Sequence, residues 1–301
     1  MPYNNNEWFE QDEVLSHDEI LRLAIIFAGL GIKRIRITGG EPTIRPKIED
    51  LIRLLSRIKG IESISMTTNG LLLGNIANQI KEAGLEGVNV SLDTFKAHRF
   101  KSMCGIDGID RVLKSIDAAH TAGLKLKINT VVVRGWNDDE VVDFAKFARY
   151  TGYTVRFIEF MPLDGTGIWR PDLVFSSKEM IERINKNVKE LVPLQNKVSE
   201  PAKLYSFIDG KGTVGFIPSM TEPFCQYCDR LRITSEGRFM TCLFENPGYD
   251  LKGLIRNGRS DDNEIRRYIL ECIKRKPEGV ISIIRSKTLR PTLNLMHRIG
   301  G

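Results

Sequence analysis

Apolar residues return with two different spacings along the first half of the chain. Short runs rich in isoleucine and valine alternate apolar with polar positions, whereas longer runs bring apolar residues back every three or four positions. The first spacing is typical of strands and the second of amphipathic helices. Strands are predicted at 33–38, 62–67, 86–92, 125–133 and 154–160. Helices are predicted at 17–29, 46–58, 74–83, 107–121 and 138–150.

This alternation predicts a parallel sheet of βα units, either barrel-like or doubly wound. A doubly wound dinucleotide fold needs G-x-G-x-x-G after its first strand, and this chain has Gly39-Gly40-Glu41-Pro42 there. We therefore expect an open, incomplete βα barrel of the TIM type, with its site at the carboxyl ends of the strands. Polar residues gather at those ends: Gly39 to Glu41, Thr67 to Asn69, Ser91, Asp93, Asn129 and Glu159 to Met161.

The periodic pattern weakens after residue 165. One helix is predicted at 177–190, and a second region contains short strands near 204–208 and 212–217, a cysteine-bearing hairpin and a charged helix at 261–274. We expect a barrel region over residues 1–200 and a smaller region over 201–301.

Three of the five cysteines lie close together near the C-terminus. Cys225 and Cys228 form a C-x-x-C pair, and Cys242 follows after thirteen residues, which is a spacing typical of metal ligands. Three thiolates are one short of a closed tetrahedral zinc site, and they also suit an iron–sulfur cluster with one iron open. The spacing alone leaves a structural zinc, a cluster and a reduced, unligated set as alternatives. Cys104 and Cys272 are interpreted as isolated small hydrophobic residues, in a loop and in a helix respectively.

Basic side chains accompany these cysteines and one of the strands. If 229–234 is a strand, Arg230 and Arg232 point the same way and could hold a phosphate-bearing ligand. Lys125, Lys127 and Asn129 share one face of their strand, either inside the barrel or on its outer surface. In each case the alternative is a set of solvated charges.

The charge of the whole chain also favours an anionic partner. The formal net charge is +6 and the pI is near 9.0, but lysines and arginines are interspersed with acids, which favours a nucleotide over a nucleic acid. The N-terminus is polar and acidic, unlike a signal peptide, and no apolar run approaches the length of a membrane span. We expect a cytoplasmic protein with reduced thiols and no membrane or nucleic-acid partner.

Several short motifs follow the strands in a fixed order. They are Gly39-Gly40-Glu41-Pro42, Thr67-Thr68-Asn69-Gly70, Val90-Ser91-Leu92-Asp93, Arg156 to Met161, the C-x-x-C-x-R-x-R stretch with the later Cys242, and the terminal Gly300-Gly301. In this order the chain resembles radical S-adenosylmethionine (SAM) enzymes, and more narrowly the molybdenum cofactor biosynthesis protein A family, the GTP 3′,8-cyclases. The resemblance covers essentially all 301 residues.

The resemblance implies a cytoplasmic lyase that converts GTP to 3′,8-cyclo-7,8-dihydro-GTP with a radical derived from SAM. It implies a [4Fe–4S] cluster at Cys225, Cys228 and Cys242 whose open iron meets the guanine. It also implies that the product passes to the next enzyme of the molybdopterin pathway, and it leaves a homodimer open.

The resemblance also assigns binding residues. For GTP they are Arg36, Thr67, Lys127, Arg230, Leu231 and Arg232, and for SAM they are Gly40, Ser91 and Met161. Further candidates are Gly39 and Glu41 for SAM, Arg156 for the triphosphate, Asn69, and the tail Gly300 and Gly301, which the resemblance places near SAM.

One departure from the family bears on activity. In the family a C-x-x-x-C-x-x-C set on the first barrel loop holds a second [4Fe–4S] cluster, which cleaves SAM, and Met-Pro follows it directly. This sequence begins at Met1-Pro2, so we expect an N-terminal truncation that removes the first strand and these ligands, and a chain that is inactive alone. The alternatives are a non-catalytic iron–sulfur protein that binds nucleotides and a zinc-bearing nucleic-acid module, which the lack of a clustered basic face disfavours.

Overall fold

The structure, a computed structural model, describes residues 12–163, 167–195, 200–245, 247–258, 260–277 and 279. The helices are α1 (His17–Gly29), α2 (Ile48–Ser56), α3 (Leu73–Glu82), α4 (Ala97–Cys104), α5 (Ile109–Thr121), α6 (Val141–Thr151), α7 (Ser177–Asn187), α8 (Leu251–Arg256) and α9 (Asp262–Lys274). The strands are β1 (Arg34–Ile37), β2 (Ser63–Thr68), β3 (Gly87–Ser91), β4 (Lys125–Val132), β5 (Thr154–Glu159), β6 (Leu191–Pro193), β7 (Lys203–Phe207), β8 (Thr213–Ile217), β9 (Arg232–Ile233), β10 (Arg238–Met240) and β11 (Tyr249–Asp250).

The larger sheet has eight strands in the order β1-β2-β3-β4-β5-β8-β7-β6. Neighbouring strands from β1 to β5 are parallel, β8 is parallel to β5, and β7 and β6 are antiparallel additions at the edge. The first five strands follow chain order without a reversal, so right-handed crossovers place their helices on one face. The predicted βα alternation is confirmed, whereas an open barrel that lacks its first strand stays a prediction.

The two faces of this sheet differ in character because side chains alternate along each strand. One face is apolar and lies under the helices, where Met66, Val90 and Phe157 are fully buried. The opposite face is polar, and cross-strand pairing aligns its side chains in rows, such as Thr67 beside Asn89 and then Lys127. We call this second surface the polar face; it consists of Arg36, Ser65, Thr67, Asn89, Ser91, Lys127, Asn129 and Arg156.

A second apolar core joins the two ends of the described chain. Leu23, Ile26 and Phe27 of α1 pack in one cluster with residues of β10, α8 and α9, including Phe239 and Ile269. The region after residue 200 also contributes β7 and β8 to the larger sheet. The division into 1–200 and 201–301 stays a prediction, and the elements on either side of residue 200 share both cores.

A local sequence signal accounts for the start of α1. Ser16 accepts from the backbone N–H of Glu19, and the Glu19 side chain accepts from the backbone N–H of Ser16, which is the capping box expected at the start of α1. None of the helices within the described ranges combines the length and apolar character that a membrane span requires.

Some local expectations differ from the structure. The strand considered at 229–234 covers only Arg232–Ile233 in the structure. An irregular loop lies between Cys228 and that strand. Cys104 is the last residue of α4 and does not lie in a loop. Helix α4 buries a single side chain, that of Phe100, so it has little of the periodicity by which a helix is recognised in a sequence.

The carboxylate of Glu159 joins three elements at the end of β5. It is fully buried, and its Oε1 accepts from the backbone N–H of Ser177 (2.8 Å) and the hydroxyl of Thr221 (2.6 Å). Its Oε2 accepts from the backbone N–H groups of Met220 and Thr221, both at 2.9 Å. A single carboxylate thus ties β5 to the start of α7 and to the loop after β8, with its lone pairs used by protein donors.

We expect Glu159→Ala to lower the free energy of unfolding by at least about 3 kcal/mol, because it leaves buried N–H and O–H donors without acceptors. Thr221→Val, which removes one of the four hydrogen bonds, should cost about 1 kcal/mol. Urea denaturation followed by circular dichroism measures both variants. Equal midpoints for the parent chain and Glu159→Ala would contradict this role of the carboxylate.

Candidate functional site

Five basic side chains, linked by mutual electrostatic repulsion, form what we call the cation cluster: Arg36, Lys127 and Arg156 on the polar face, and Arg230 and Arg232 from the C-terminal region. Burial, followed by repulsion from Arg36, lowers the pKa of Arg156 to about 10. Burial, followed by repulsion from Arg230 and Arg36, lowers the pKa of Arg232 to about 10. The two regions of the chain therefore place like charges within electrostatic range of one another.

Lys127 and Arg36 show the same coupling. Burial, and then the charges of Arg156 and Arg36, lowers the pKa of Lys127, while burial and the charge of Arg230 lower that of Arg36. Arg36 and Lys127 nevertheless keep a large solvent-exposed fraction. Lys127 lies on the polar face and reaches water there, so a dissolved anion can approach it.

Few negative groups offset the cation cluster. Glu200 attracts Lys127 and Arg156, and the thiols of the cysteine loop attract Arg232. Over the part of the chain that the structure describes, no carboxylate lies within 4.0 Å of a nitrogen of Arg36, Lys127, Arg156 or Arg230. A surface that gathers positive charge in this way costs stability until an anion binds to it.

Arg156 is the most deeply placed side chain of the cluster, with 6% of its surface exposed. It extends from β5 across β4, where its Nε donates to Oδ1 of Asn129 at 2.9 Å, and reaches β3, where its Nη2 donates to Oδ1 of Asn89 at 2.8 Å. Asn89 in turn donates from Nδ2 to Oγ1 of Thr67 at 3.3 Å. Two predicted GTP residues, Thr67 and Arg156, are therefore joined through an asparagine that the sequence analysis did not single out.

The cysteine loop lies beside this cluster. Cys225 begins a single 3₁₀ turn that ends at Tyr227, and the Arg230 guanidinium lies over the ring of Phe224 with its Nη2 3.5 Å from Sγ of Cys228. From the residues that follow α9, Nζ of Lys276 donates to the carbonyl oxygens of Cys228 (2.7 Å) and Arg230 (3.1 Å). Lys276 escaped notice in the sequence because it lies 48 residues from Cys228, a separation that carries no motif.

The thiols respond to this setting in opposite directions. Burial opposes ionisation of Cys228, but the backbone N–H and the guanidinium of Arg230 outweigh it and lower the pKa of that thiol. Burial raises the pKa of Cys242, and the nearby Cys225 and Cys228 raise it further. The three sulfurs are therefore close enough to influence one another, and cations that would stabilise thiolates surround them.

Across the described ranges no group of three or more His, Cys, Asp or Glu side chains has a metal-holding arrangement. The assignment of Cys225, Cys228 and Cys242 as cluster ligands thus stays a prediction, although three mutually coupled thiols fit a [4Fe–4S] cluster chemically. Cys104 and Cys272 lie in α4 and α9, and burial raises the pKa of both thiols. No C-x-x-x-C-x-x-C occurs in the 301 residues, so the residues of this chain do not fit the cluster that cleaves SAM.

The predicted SAM residues follow the parallel strands. Gly39 has φ of +124°, a region that disfavours residues with a side chain, and no atom lies within 4 Å of where its Cβ would be, so its requirement is conformational. Ser91 ends β3 and is exposed, Met161 follows β5, and Gly40 is exposed in the loop after β1. Their roles, like those of Asn69 and the other assigned residues, stay predictions. Gly300 and Gly301 lie outside the described residues.

The carboxylate of Glu41 accepts four hydrogen bonds from the protein. Its Oε1 accepts from the backbone N–H and the hydroxyl of Thr43 and from the hydroxyl of Thr68, and its Oε2 accepts from the backbone N–H of Asn69 at 2.7 Å. The carboxylate thereby ties the loop after β1 to the turn after β2. Its predicted contact with SAM would have to use the remaining capacity of Oε2.

Two family models match successive parts of this chain. Residues 3–148 match the model of the radical SAM superfamily, and residues 153–281 match the model described as Molybdenum Cofactor Synthesis C. Among solved structures, Streptococcus suis SuiB superposes with a TM-score of 0.59 at 15% identity, covering 90% of this chain and 62% of that one. The same protein bound to S-adenosylmethionine gives a TM-score of 0.57 at 14% identity, covering 80% and 55%. These neighbours support the fold alone.

Curated relatives are much closer in sequence. GTP 3′,8-cyclase of Thermodesulfovibrio yellowstonii is 43% identical over 96% of this chain and 88% of its own length. The mitochondrial GTP 3′,8-cyclase of Arabidopsis thaliana is 40% identical over 100% of this chain and 76% of its own. The resemblance stated from the motifs is confirmed, and this chain belongs to the GTP 3′,8-cyclase family of radical SAM proteins.

Proposed function

We propose that this chain binds GTP and SAM for the GTP 3′,8-cyclase reaction of molybdenum cofactor biosynthesis, which yields 3′,8-cyclo-7,8-dihydro-GTP. The observation that carries the proposal is the cation cluster, five coupled basic groups with few acids near them. A triphosphate supplies several negative charges in a compact group, and guanidinium forks match phosphate oxygens. Family membership then selects GTP among the anions that such a surface could hold.

The proposal assigns roles along the polar face. Arg36, Lys127 and Arg156 would contact the triphosphate. The Thr67 hydroxyl already accepts a hydrogen bond from Asn89, so its own O–H is available to donate one to a phosphate or ribose oxygen. The parallel strands would form an open barrel whose interior is the polar face, which would exclude bulk water from the bound nucleotide.

The cysteine loop would hold the guanine end of the nucleotide. Cys225, Cys228 and Cys242 would hold a [4Fe–4S] cluster, and an iron without a cysteine offers a coordination position to a nitrogen or oxygen of the base. Arg230 and Arg232, with the backbone of Leu231 between them, would fix the nucleotide beside that position. Lys276 holds the loop that carries Arg230 through a hydrogen bond to the carbonyl oxygen of that residue.

SAM would lie at the carboxyl ends of β1 to β5, beside Gly39, Gly40, Asn69, Ser91 and Met161, with Glu41 fixing the rim. The 301 residues contain no C-x-x-x-C-x-x-C set for the cluster that reduces SAM, so these residues by themselves would bind SAM without cleaving it. This observation favours a second candidate function for the chain by itself, that of a non-catalytic iron–sulfur protein that binds GTP. A cytoplasmic location and transfer of the product to the next enzyme of the pathway belong to the proposal.

Anion binding should stabilise the chain measurably. We expect saturating inorganic tripolyphosphate to raise the midpoint of thermal unfolding by about 5 °C, because binding to the native state alone adds about 3 kcal/mol at a hundredfold excess over Kd. Sodium sulfate at equal ionic strength controls for screening, and guanosine controls for binding of the base. The same midpoint in tripolyphosphate and in the sulfate control would remove the main support for the proposal.

The two arginines beside the cysteine loop give a direct test of GTP binding. We expect Arg230→Ala and Arg232→Ala each to weaken GTP affinity about 10- to 100-fold, since each deletes charge-assisted hydrogen bonds to the nucleotide, with iron content unchanged. Isothermal titration calorimetry measures the affinity, and Arg111→Ala, on the exposed surface of α5, is the matched control. Unaltered GTP affinity in both variants rules out this role.

Metal content separates the candidate functions. After anaerobic reconstitution we expect about four irons and four sulfides per chain, because one set of three clustered cysteines is present. With dithionite and SAM the reconstituted chain should release no 5′-deoxyadenosine. About eight irons per chain, or release of 5′-deoxyadenosine, would show that a second ligand set exists, and stoichiometric zinc would favour a structural metal site.

A further inference from the structure

The arginine at the centre of the polar face is held by neutral groups. Arg156 is almost completely buried, yet the two acceptors that orient it are the amide oxygens of Asn89 and Asn129, at 2.8 and 2.9 Å. Among the hydrogen bonds of the described residues, these use Nη2 and Nε of the guanidinium, and none uses Nη1. The fork therefore keeps donors for a further partner.

Two other arginines of this chain are held by carboxylates. Arg149 makes a two-pronged contact with Asp209 at 2.8 and 2.7 Å, and Arg256 pairs with Glu19 in the same manner. In both cases the carboxylate raises the pKa of the guanidinium. For Arg156, by contrast, burial and repulsion from Arg36 lower the pKa. The amide partners of Arg156 thus differ from the carboxylate partners of Arg149 and Arg256.

The difference lies in charge, because asparagine and aspartate have nearly the same shape. A carboxylate at either position would hold Arg156 equally well and would cancel its charge. An amide oxygen fixes the guanidinium and leaves its full charge available to a ligand. Leaving the charge of Arg156 uncancelled costs electrostatic free energy, because neighbouring cations already repel one another there.

Strand register explains why these two residues can act together. Asn129 on β4 is the cross-strand neighbour of Arg156 on β5, and Asn89 lies one strand further, between Thr67 and Lys127. Asn89 is 4% exposed, so it acts on a ligand through Arg156 and Thr67. Both neighbours of its amide are residues proposed to contact GTP.

We infer that Asn89 and Asn129 are positioning residues that fix the Arg156 guanidinium while preserving its charge, and that they thereby set a preference for nucleotides with several phosphates. The inference rests on the proposed GTP site and deepens it. The more phosphate charge a ligand carries, the more it gains from an arginine whose charge is not cancelled. A nucleoside monophosphate should gain less than a triphosphate.

The test replaces the amides with carboxylates of the same shape. We expect Asn89→Asp to weaken binding of GTP about 10- to 100-fold and to reduce the ratio of GTP affinity to GMP affinity by about tenfold, since a carboxylate near 3 Å from the guanidinium opposes the phosphates. Without ligand, its thermal midpoint should equal or exceed that of the parent, because the new charge relieves repulsion. Asn89→Ala, which leaves the charge of Arg156 in place, should weaken GTP binding less than Asn89→Asp.

Two further variants complete the design. Asn78→Asp adds the same charge on the exposed side of α3 and should leave both affinities unchanged. Asn129→Asp should repeat the effect of Asn89→Asp. It therefore provides the same test if Asn89→Asp does not fold. Asn89→Asp with parental GTP affinity, or with a lowered midpoint and equal losses for GTP and GMP, would overturn the inference.

Inorganic tripolyphosphate, titrated in parallel, separates this inference from the proposed function. If the parent chain binds tripolyphosphate and not GTP, the proposed function fails, and the comparison of asparagine with aspartate proceeds with tripolyphosphate and phosphate as the ligands. If the parent binds GTP and the aspartate variants bind it equally well, the inference fails and the proposed function stands.

Discussion

Like-charge repulsion above the polar face is the constraint on which the arrangement of this site depends. Five basic groups come together from two distant parts of the chain; burial and repulsion from their neighbours lower the pKa values of Arg36, Lys127, Arg156 and Arg232, and the nearby acids are few. Such a cluster persists only where the surrounding structure fixes it. Here the apolar underside of the larger sheet provides that support, because Met66, Val90 and Phe157 are fully buried beneath the strands that carry the charges.

The C-terminal region contributes to the cluster through a second fixed unit. Arg230 is held by a ring below its guanidinium and by an ammonium group at its carbonyl oxygen, and Arg232 begins the edge strand of the small sheet. That small sheet packs against α1, near the other end of the described chain. The position of the last two arginines relative to Arg36 thus depends on contacts between the two ends of the described chain.

Much of the fold could be predicted because its signals are local. The spacing of apolar residues gave the five βα units, and the side chains of Lys127 and Asn129 fall on one face as the alternation required. Cross-strand partners could not be predicted from the sequence, since the contact of Arg156 with Asn89 depends on the register of three strands. Helix α4 and the contacts of Lys276 were missed for the same reason: each depends on tertiary neighbours and carries no periodic or spaced motif.

The packing of α1 has a consequence for biosynthesis. Its apolar residues Leu23, Ile26 and Phe27 find their partners in β10 and α9, more than two hundred residues later in the chain. At ordinary rates of translation those partners emerge from the ribosome roughly 10 to 40 s after α1. During that interval the apolar residues of α1 lack these partners, so chaperones that act on nascent chains can bind them.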